Sequence, residues 1–169
     1  MRGLSQDETA TTCGEMEERM ALLSDKDQKT LKDLFGKRLT EDVNLTYFTQ
    51  HDSVLSVPGL ECEYCRETRD LLEEVSALSD HIHVTIKDFV KDEEEAKRMG
   101  VERIPAIVME GKAKGRVNFY GIPAGYEFST LIEDLLDLSS GEPDLQDTTL
   151  KAMESVQQDV HIQVFVTPT

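Results

Sequence analysis

Two cysteines three residues apart, Cys62-Glu63-Tyr64-Cys65, stand where an apolar strand-like run gives way to a helical pattern. The run is Val43 to Thr49, and the helical face after it is Leu71, Leu72, Val75 and Leu78. This order predicts a strand, a turn and a helix whose first turn carries both thiols. The free N–H groups and dipole at a helix N-terminus favour an anion, so the outer thiol is biased toward thiolate. A thiolate attacks disulfides, and a second thiol one turn on can resolve the mixed disulfide that forms. Cys62, the outer cysteine, is therefore the expected nucleophile and Cys65 the resolving thiol. Glu61 and Glu63 oppose ionisation of Cys62, whereas Arg66, Arg69 and the helix terminus support it. The balance suggests a reducing dithiol, nearer about −270 mV than about −120 mV. A second mark is Ile104-Pro105, directly before the apolar run Ala106 to Met109.

The rest of the chain supports an α/β reading. Ser24 with Asp27 three residues on reads as a helix N-cap, followed by Leu31, Leu34, Phe35 and Leu39 at helical spacing. Ile82, Val84 and Ile86 alternate as a second strand. Asp92 to Met99 reads as a short charged helix ended by Gly100. Ala106 to Met109 and Val117 to Tyr120 read as a hairpin across Gly111 to Gly115. Phe128, Leu131, Ile132, Leu135 and Leu136 mark a closing helix that stops near Gly141. The expected order is a helix followed by βαβαββα.

Composition bounds the partners. Lys+Arg 18 against Asp+Glu 34 gives a formal charge of −16, which repels nucleic acid and anionic lipid. No apolar run approaches the roughly 18 residues of a membrane span. Met1 to Glu18 has no apolar core of the kind a secretory signal needs, so a cytoplasmic location is expected. Three cysteines are an odd number for a disulfide scaffold, and a single C-x-x-C in this context points to redox work. Half a zinc site is the competing reading. Zinc takes about four N/S ligands. The remaining candidates, Cys13, His51, His81, His83 and His161, include no second closely spaced pair with cysteine. His81 and His83 share one face of a strand start, where solvated histidines are commoner than ligands. No metal and no cofactor is expected.

The chain also repeats itself. Thr30-Leu31-Lys32 recurs as Thr149-Leu150-Lys151, Asp42-Val43 as Asp159-Val160, and Tyr47-Phe48-Thr49 is echoed by Val164-Phe165-Val166. Residues 1–23 read as a polar tail. Residues 24–141 read as one complete unit, and residues 142–169 as the opening helix and strand of a second. The alternation of Val160, Ile162, Val164 and Val166 leaves that strand with an apolar face. Residues 143–169 are accordingly expected either to pack on the first unit or to drive self-association.

Cys62-Glu63-Tyr64-Cys65, Arg103-Ile104-Pro105, the stretch Tyr120 to Phe128 and the tail Asp159 to Thr169 together resemble the protein disulfide oxidoreductases of thermophilic archaea and bacteria. Those are tandem thioredoxin/glutaredoxin-like folds with one C-x-x-C in each half. The similarity covers about residues 24–169 and stops before a second C-x-x-C. It implies a thioredoxin-like three-layer fold with an extra N-terminal helix, plus the start of a second such unit. It also implies a cis Ile104-Pro105 bond, with the backbone of Arg103, Ile104 and Pro105 facing an extended client and Tyr64 shaping the helix start. The implied partners are protein disulfides and an NADPH-dependent, thioredoxin-reductase-like electron donor. A non-catalytic binding module for clients or for a flavoprotein is the alternative. Two departures stand out. The lead-in from His51 to Glu61 is long and carries Val54, Leu55 and Val57. Thioredoxins proper place a buried acid on the strand before the dithiol, and Leu45 to Thr49 offers none.

Overall fold

The computed structural model of the chain describes residues 21–50, 62–142 and 145–166. Cys13, most of the expected polar tail and the lead-in His51 to Glu61 lie outside the described residues. Helix α1, Asp25–Arg38, starts as its sequence requires: the Ser24 hydroxyl accepts a hydrogen bond from the Asp27 N–H at 3.2 Å. Then follow β1 (Val43–Thr49), α2 (Cys65–Ser76), β2 (Ile82–Asp88), α3 (Glu93–Arg98), β3 (Ala106–Glu110), β4 (Val117–Tyr120), α4 (Tyr126–Ser140) and α5 (Asp147–Met153).

The four strands form one mixed sheet in the order β2-β1-β3-β4. β1 runs parallel to β2, with Val43 opposite Ile82, and antiparallel to β3, with Tyr47 opposite Ile107. β3 and β4 form the expected antiparallel hairpin. Alternation along β1 divides the core. Val43, Leu45 and Tyr47 face one side, where α1, α2 and α4 supply Phe35, Leu72, Val75, Leu131 and Leu135. Phe48 faces the other, with Ala106 and Val108 of β3 and Ala96 and Met99 from the α3 side. The result is three layers, with β1 and β3 covered on both faces.

Both Gly100 and Gly141 carry positive φ, 67° and 69°, and each ends a helix where a left-handed residue is needed. One long-range tie was invisible in the pattern. Ser139, fully buried on α4, accepts from the N–H groups of Thr40 and Glu41, each at 3.0 Å, and donates to the Glu41 carbonyl at 2.7 Å. It locks the C-terminal end of α4 to the α1–β1 connection.

Two expectations require correction. The first turn of α2 does not contain both thiols: the helix begins at Cys65, and Cys62 sits in the turn before it. The second concerns the tail. A helix forms at Asp147–Met153 (α5), but Val160 to Val166 forms no strand, and every described residue from Leu145 to Val166 is exposed. A strand needs a neighbour for its N–H and C=O groups, and the apolar alternation alone supplies none. Among the described residues of the tail, none is buried. No helix among the described residues is long and apolar enough to cross a membrane.

Candidate active site

The sheet brings four chain segments to one end. β1 ends there, α2 begins there, and antiparallel β3 starts there, because Phe48 pairs with Ala106. β4 ends there too, since Tyr120 is opposite Ala106. Cys62 and Cys65 are joined in a disulfide, with Cα atoms 5.4 Å apart. Cys65 is buried at 5% exposure, while Cys62 is only half-buried. The turn between them is closed by a long 3.4 Å bond from the Cys65 N–H to the Cys62 carbonyl. Tyr64, the N-cap of α2, exposes 45% of its surface. The charge of Glu63 holds its phenol pKa above the usual value.

On the facing strand, the Ile104–Pro105 peptide bond is cis. Pro105 is buried and its carbonyl accepts from the Gly121 N–H at 2.9 Å. Arg103 is exposed, with its guanidinium carbon 5.2 Å from the centroid of the Tyr120 ring. The Tyr120 hydroxyl donates to the Gly100 carbonyl at 3.0 Å, fixing the ring on which Arg103 rests. Thus Cys62, Tyr64, Cys65, Arg103, Ile104 and Pro105 all belong to the same end of the sheet.

Three residues that sequence reasoning passed over anchor the dithiol turn. Gln50, just past β1, accepts the Cys62 N–H through Oε1 at 2.9 Å. Tyr47 on β1 donates its hydroxyl to the Cys65 carbonyl at 2.7 Å. Thr68 on α2 donates to the Tyr64 carbonyl at 2.6 Å. Tyr47 and Thr68 are fully buried, and Thr49 nearly so. Burial raises the Tyr47 pKa, partly offset by the hydroxyls of Thr49 and Thr68, so the phenol stays protonated and serves as a donor. The signal was present. A tyrosine on the core-facing side of a central strand must find a partner for its hydroxyl.

His81 and His83 lie away from this site, where β1 and β2 begin. Asp42 takes His81 Nδ1 at 2.8 Å on one carboxylate oxygen and His83 Nε2 at 3.4 Å on the other. The hydrogen bond to His81 is the main reason its pKa is lowered. Among the described residues no group of three or more His, Cys, Asp or Glu side chains is arranged to hold a metal ion.

Known proteins resemble this chain in sequence and in fold. Residues 53–133 match the Thioredoxin_3 family, described as a thioredoxin domain. The fold is thioredoxin-like. The AhpF component of the alkyl hydroperoxide reductase of Staphylococcus epidermidis is 27% identical over 105 residues, which is 61% of this chain and 18% of that protein. A protein disulfide oxidoreductase from Aeropyrum pernix superposes with a TM-score of 0.64 at 24% identity, over 78% of this chain and 54% of that one. The alkyl hydroperoxide reductase AhpF of Enterococcus faecalis gives a TM-score of 0.65 at 21% identity, over 79% of this chain and 60% of that one. The chain thus spans less than a fifth of the curated relative's length and between half and two thirds of these structural ones. A thioredoxin-like unit with a C-x-x-C disulfide is suited to thiol–disulfide exchange, because the two sulfurs can alternate between dithiol and disulfide.

Proposed function

We propose that this thioredoxin-like unit is a protein thiol–disulfide oxidoreductase. The observation that carries the reading is the asymmetry of the dithiol: Cys62 is half-buried, Cys65 is 5% exposed, and the two are bonded across the turn that starts α2. Cys62 as thiolate attacks a client disulfide and forms a mixed disulfide. Cys65 then attacks Cys62 Sγ, the client leaves as a thiol, and the intramolecular disulfide closes. Two electrons pass to the client and both reside in the thiols, so the unit itself needs no bound cofactor for this step. Tyr64, Arg103, Ile104 and Pro105 form the client-facing rim, with an extended client pairing along the backbone before β3.

The similarity to the AhpF proteins of alkyl hydroperoxide reductases supports an electron-relay role. In it, an NADPH-dependent, thioredoxin-reductase-like flavoprotein reduces the Cys62–Cys65 disulfide and a protein disulfide is the acceptor. Residues 142–169 are assigned as the opening of a second thioredoxin-like unit, on the strength of the internal repeat and α5.

Insulin reduction with dithiothreitol tests the reading. Cys62→Ser abolishes turnover, Cys65→Ser leaves a persistent mixed disulfide between Cys62 and the client, and Cys13→Ser changes little. Client binding without turnover in the unmutated chain would instead mark a docking module.

A further inference from the structure

The strand before the dithiol carries no acid, yet the space beneath Cys65 is polar. Tyr47 lies there with Thr49 and Thr68, and exposure at the three is 0%, 3% and 0%. Two consecutive carbonyls of the dithiol turn are held from this cluster. The Tyr64 carbonyl accepts from both the N–H and the hydroxyl of Thr68, at 3.0 and 2.6 Å. The Cys65 carbonyl accepts from Tyr47 at 2.7 Å. Tyr47 is set on β1, which pairs with β2 on one side and β3 on the other. Its phenol is thus fixed to one of the two central strands of the sheet. Helix ends fray when left to their own bonds. Here the first residue of α2 is referenced to the sheet instead.

We propose that Tyr47, through its hydroxyl bond to the Cys65 carbonyl, is a positioning residue that sets how readily Cys65 closes the disulfide on Cys62. The inference rests on the exchange function proposed above, and it concerns the second of the two steps. Closure is intramolecular, so its rate follows the effective concentration of the Cys65 thiol at Cys62 Sγ, and small displacements reduce it steeply. In the disulfide form the covalent bond already holds Cys65. In the dithiol and mixed-disulfide forms that bond is gone, and Tyr47 adds to the helix bonds, the turn bond and the packing that hold Cys65. The phenol therefore restrains the states that precede closure, reducing the freedom lost when the ring closes. It favours the disulfide both kinetically and at equilibrium.

Tyr47→Phe removes this bond, together with what the Thr49 and Thr68 hydroxyls contribute to the phenol oxygen. The ring keeps its packing, the Cys65 carbonyl keeps its helical partner, and the Thr49 and Thr68 hydroxyls keep acceptors of their own at Gln50 O and Tyr64 O. No buried donor is orphaned, so the variant folds. The experiment uses the full chain in a Cys13→Ser background, reduced and mixed with 5,5′-dithiobis(2-nitrobenzoate). Release of the first aryl thiol reports attack by Cys62, and release of the second reports closure by Cys65. Tyr47→Phe should leave the first rate within about twofold and slow the second about five- to tenfold, the worth of one buried hydrogen bond. In glutathione buffers the disulfide-to-dithiol ratio should fall by the same factor, equivalent to about 20–30 mV. Thr68→Val, which takes the hydroxyl from the Tyr64 carbonyl and leaves it only the backbone N–H, should slow closure in the same direction.

Parental closure and equilibrium in Tyr47→Phe would overturn the proposal. So would equal losses of thermal stability in the reduced and disulfide forms with no change in closure, since that is the mark of a merely structural hydroxyl. Failure of the exchange function reads differently. A parent that closes its disulfide normally but reduces no insulin would sink that function, while the Tyr47 effect would still be measured by aryl-thiol release.

Discussion

Cys62 is held by what its backbone touches as much as by its place before a helix. Its N–H is bound by the Gln50 side chain at 2.9 Å. Gln50→Glu keeps a carbonyl-type acceptor but brings a negative charge beside the nucleophile, which disfavours its thiolate. Iodoacetamide alkylation of Cys62 at pH 7 should slow severalfold, with the midpoint of the pH profile moved upward. Gln50→Ala removes the anchor without the charge and should leave that midpoint within a few tenths of a unit. At this scale the C-x-x-C was legible because two cysteines at one spacing carry their own chemistry. Tyr47 and Gln50 were not, because a tyrosine or a glutamine gains its role only from what the fold puts opposite it.

At the scale of elements, α4 carries both a strain and a tie. Asp134 on α4 is half-buried, and burial first, then the charges of Asp137 and Glu133, push its pKa up from 3.8 to about 6. A raised carboxyl pKa in the folded state means stability that is present below the unfolded value and is lost as pH rises through the folded one. Asp134→Asn should therefore match the parent melting temperature below pH 3.8 and exceed it above pH 6, read by thermal unfolding across pH. The tie is Ser139. Ser139→Ala leaves two N–H groups and one carbonyl of the α1–β1 connection without their partner, and should cost about 2–3 kcal/mol in urea unfolding. The hairpin β3–β4 is held close as well. A Cβ on Gly111 would stand 2.6 Å from the Leu138 carbonyl oxygen, so Gly111→Ala should destabilise by about 1–3 kcal/mol. Helices and strands were readable from period and caps, as at Ser24 and Gly141. The start of α2 was misplaced by three residues, because a turn bond and a side-chain anchor replaced the first helical turn.

For the whole molecule, stability resides in the three-layer unit. The described residues from Leu145 to Val166 are all exposed, including Ile162 and Val164 at 79% and Phe165 at 80%. Removing residues 145–169 should leave the melting temperature of the unit within about 1 °C, since every described residue of the segment is exposed and little buried area is lost. The same residues present an unpaired apolar stripe, and their removal should reduce self-association seen by light scattering. An unchanged mass distribution in the trimmed chain would show that the stripe does not join copies. What the amino-acid sequence determined by itself was local: which segments are helix or strand, which faces are apolar, and which thiols stand at the head of α2. These follow from periodicity, capping and spacing, which act within a few residues. The tertiary structure alone decided the strand order β2-β1-β3-β4, the placing of the dithiol turn and the proline-led strand at one end of the sheet, the hydroxyl bonds of Tyr47 and Ser139, and the absence of a strand at Val160 to Val166. Each depends on partners far away in the chain, and a periodic pattern records that a face wants cover without recording what will cover it.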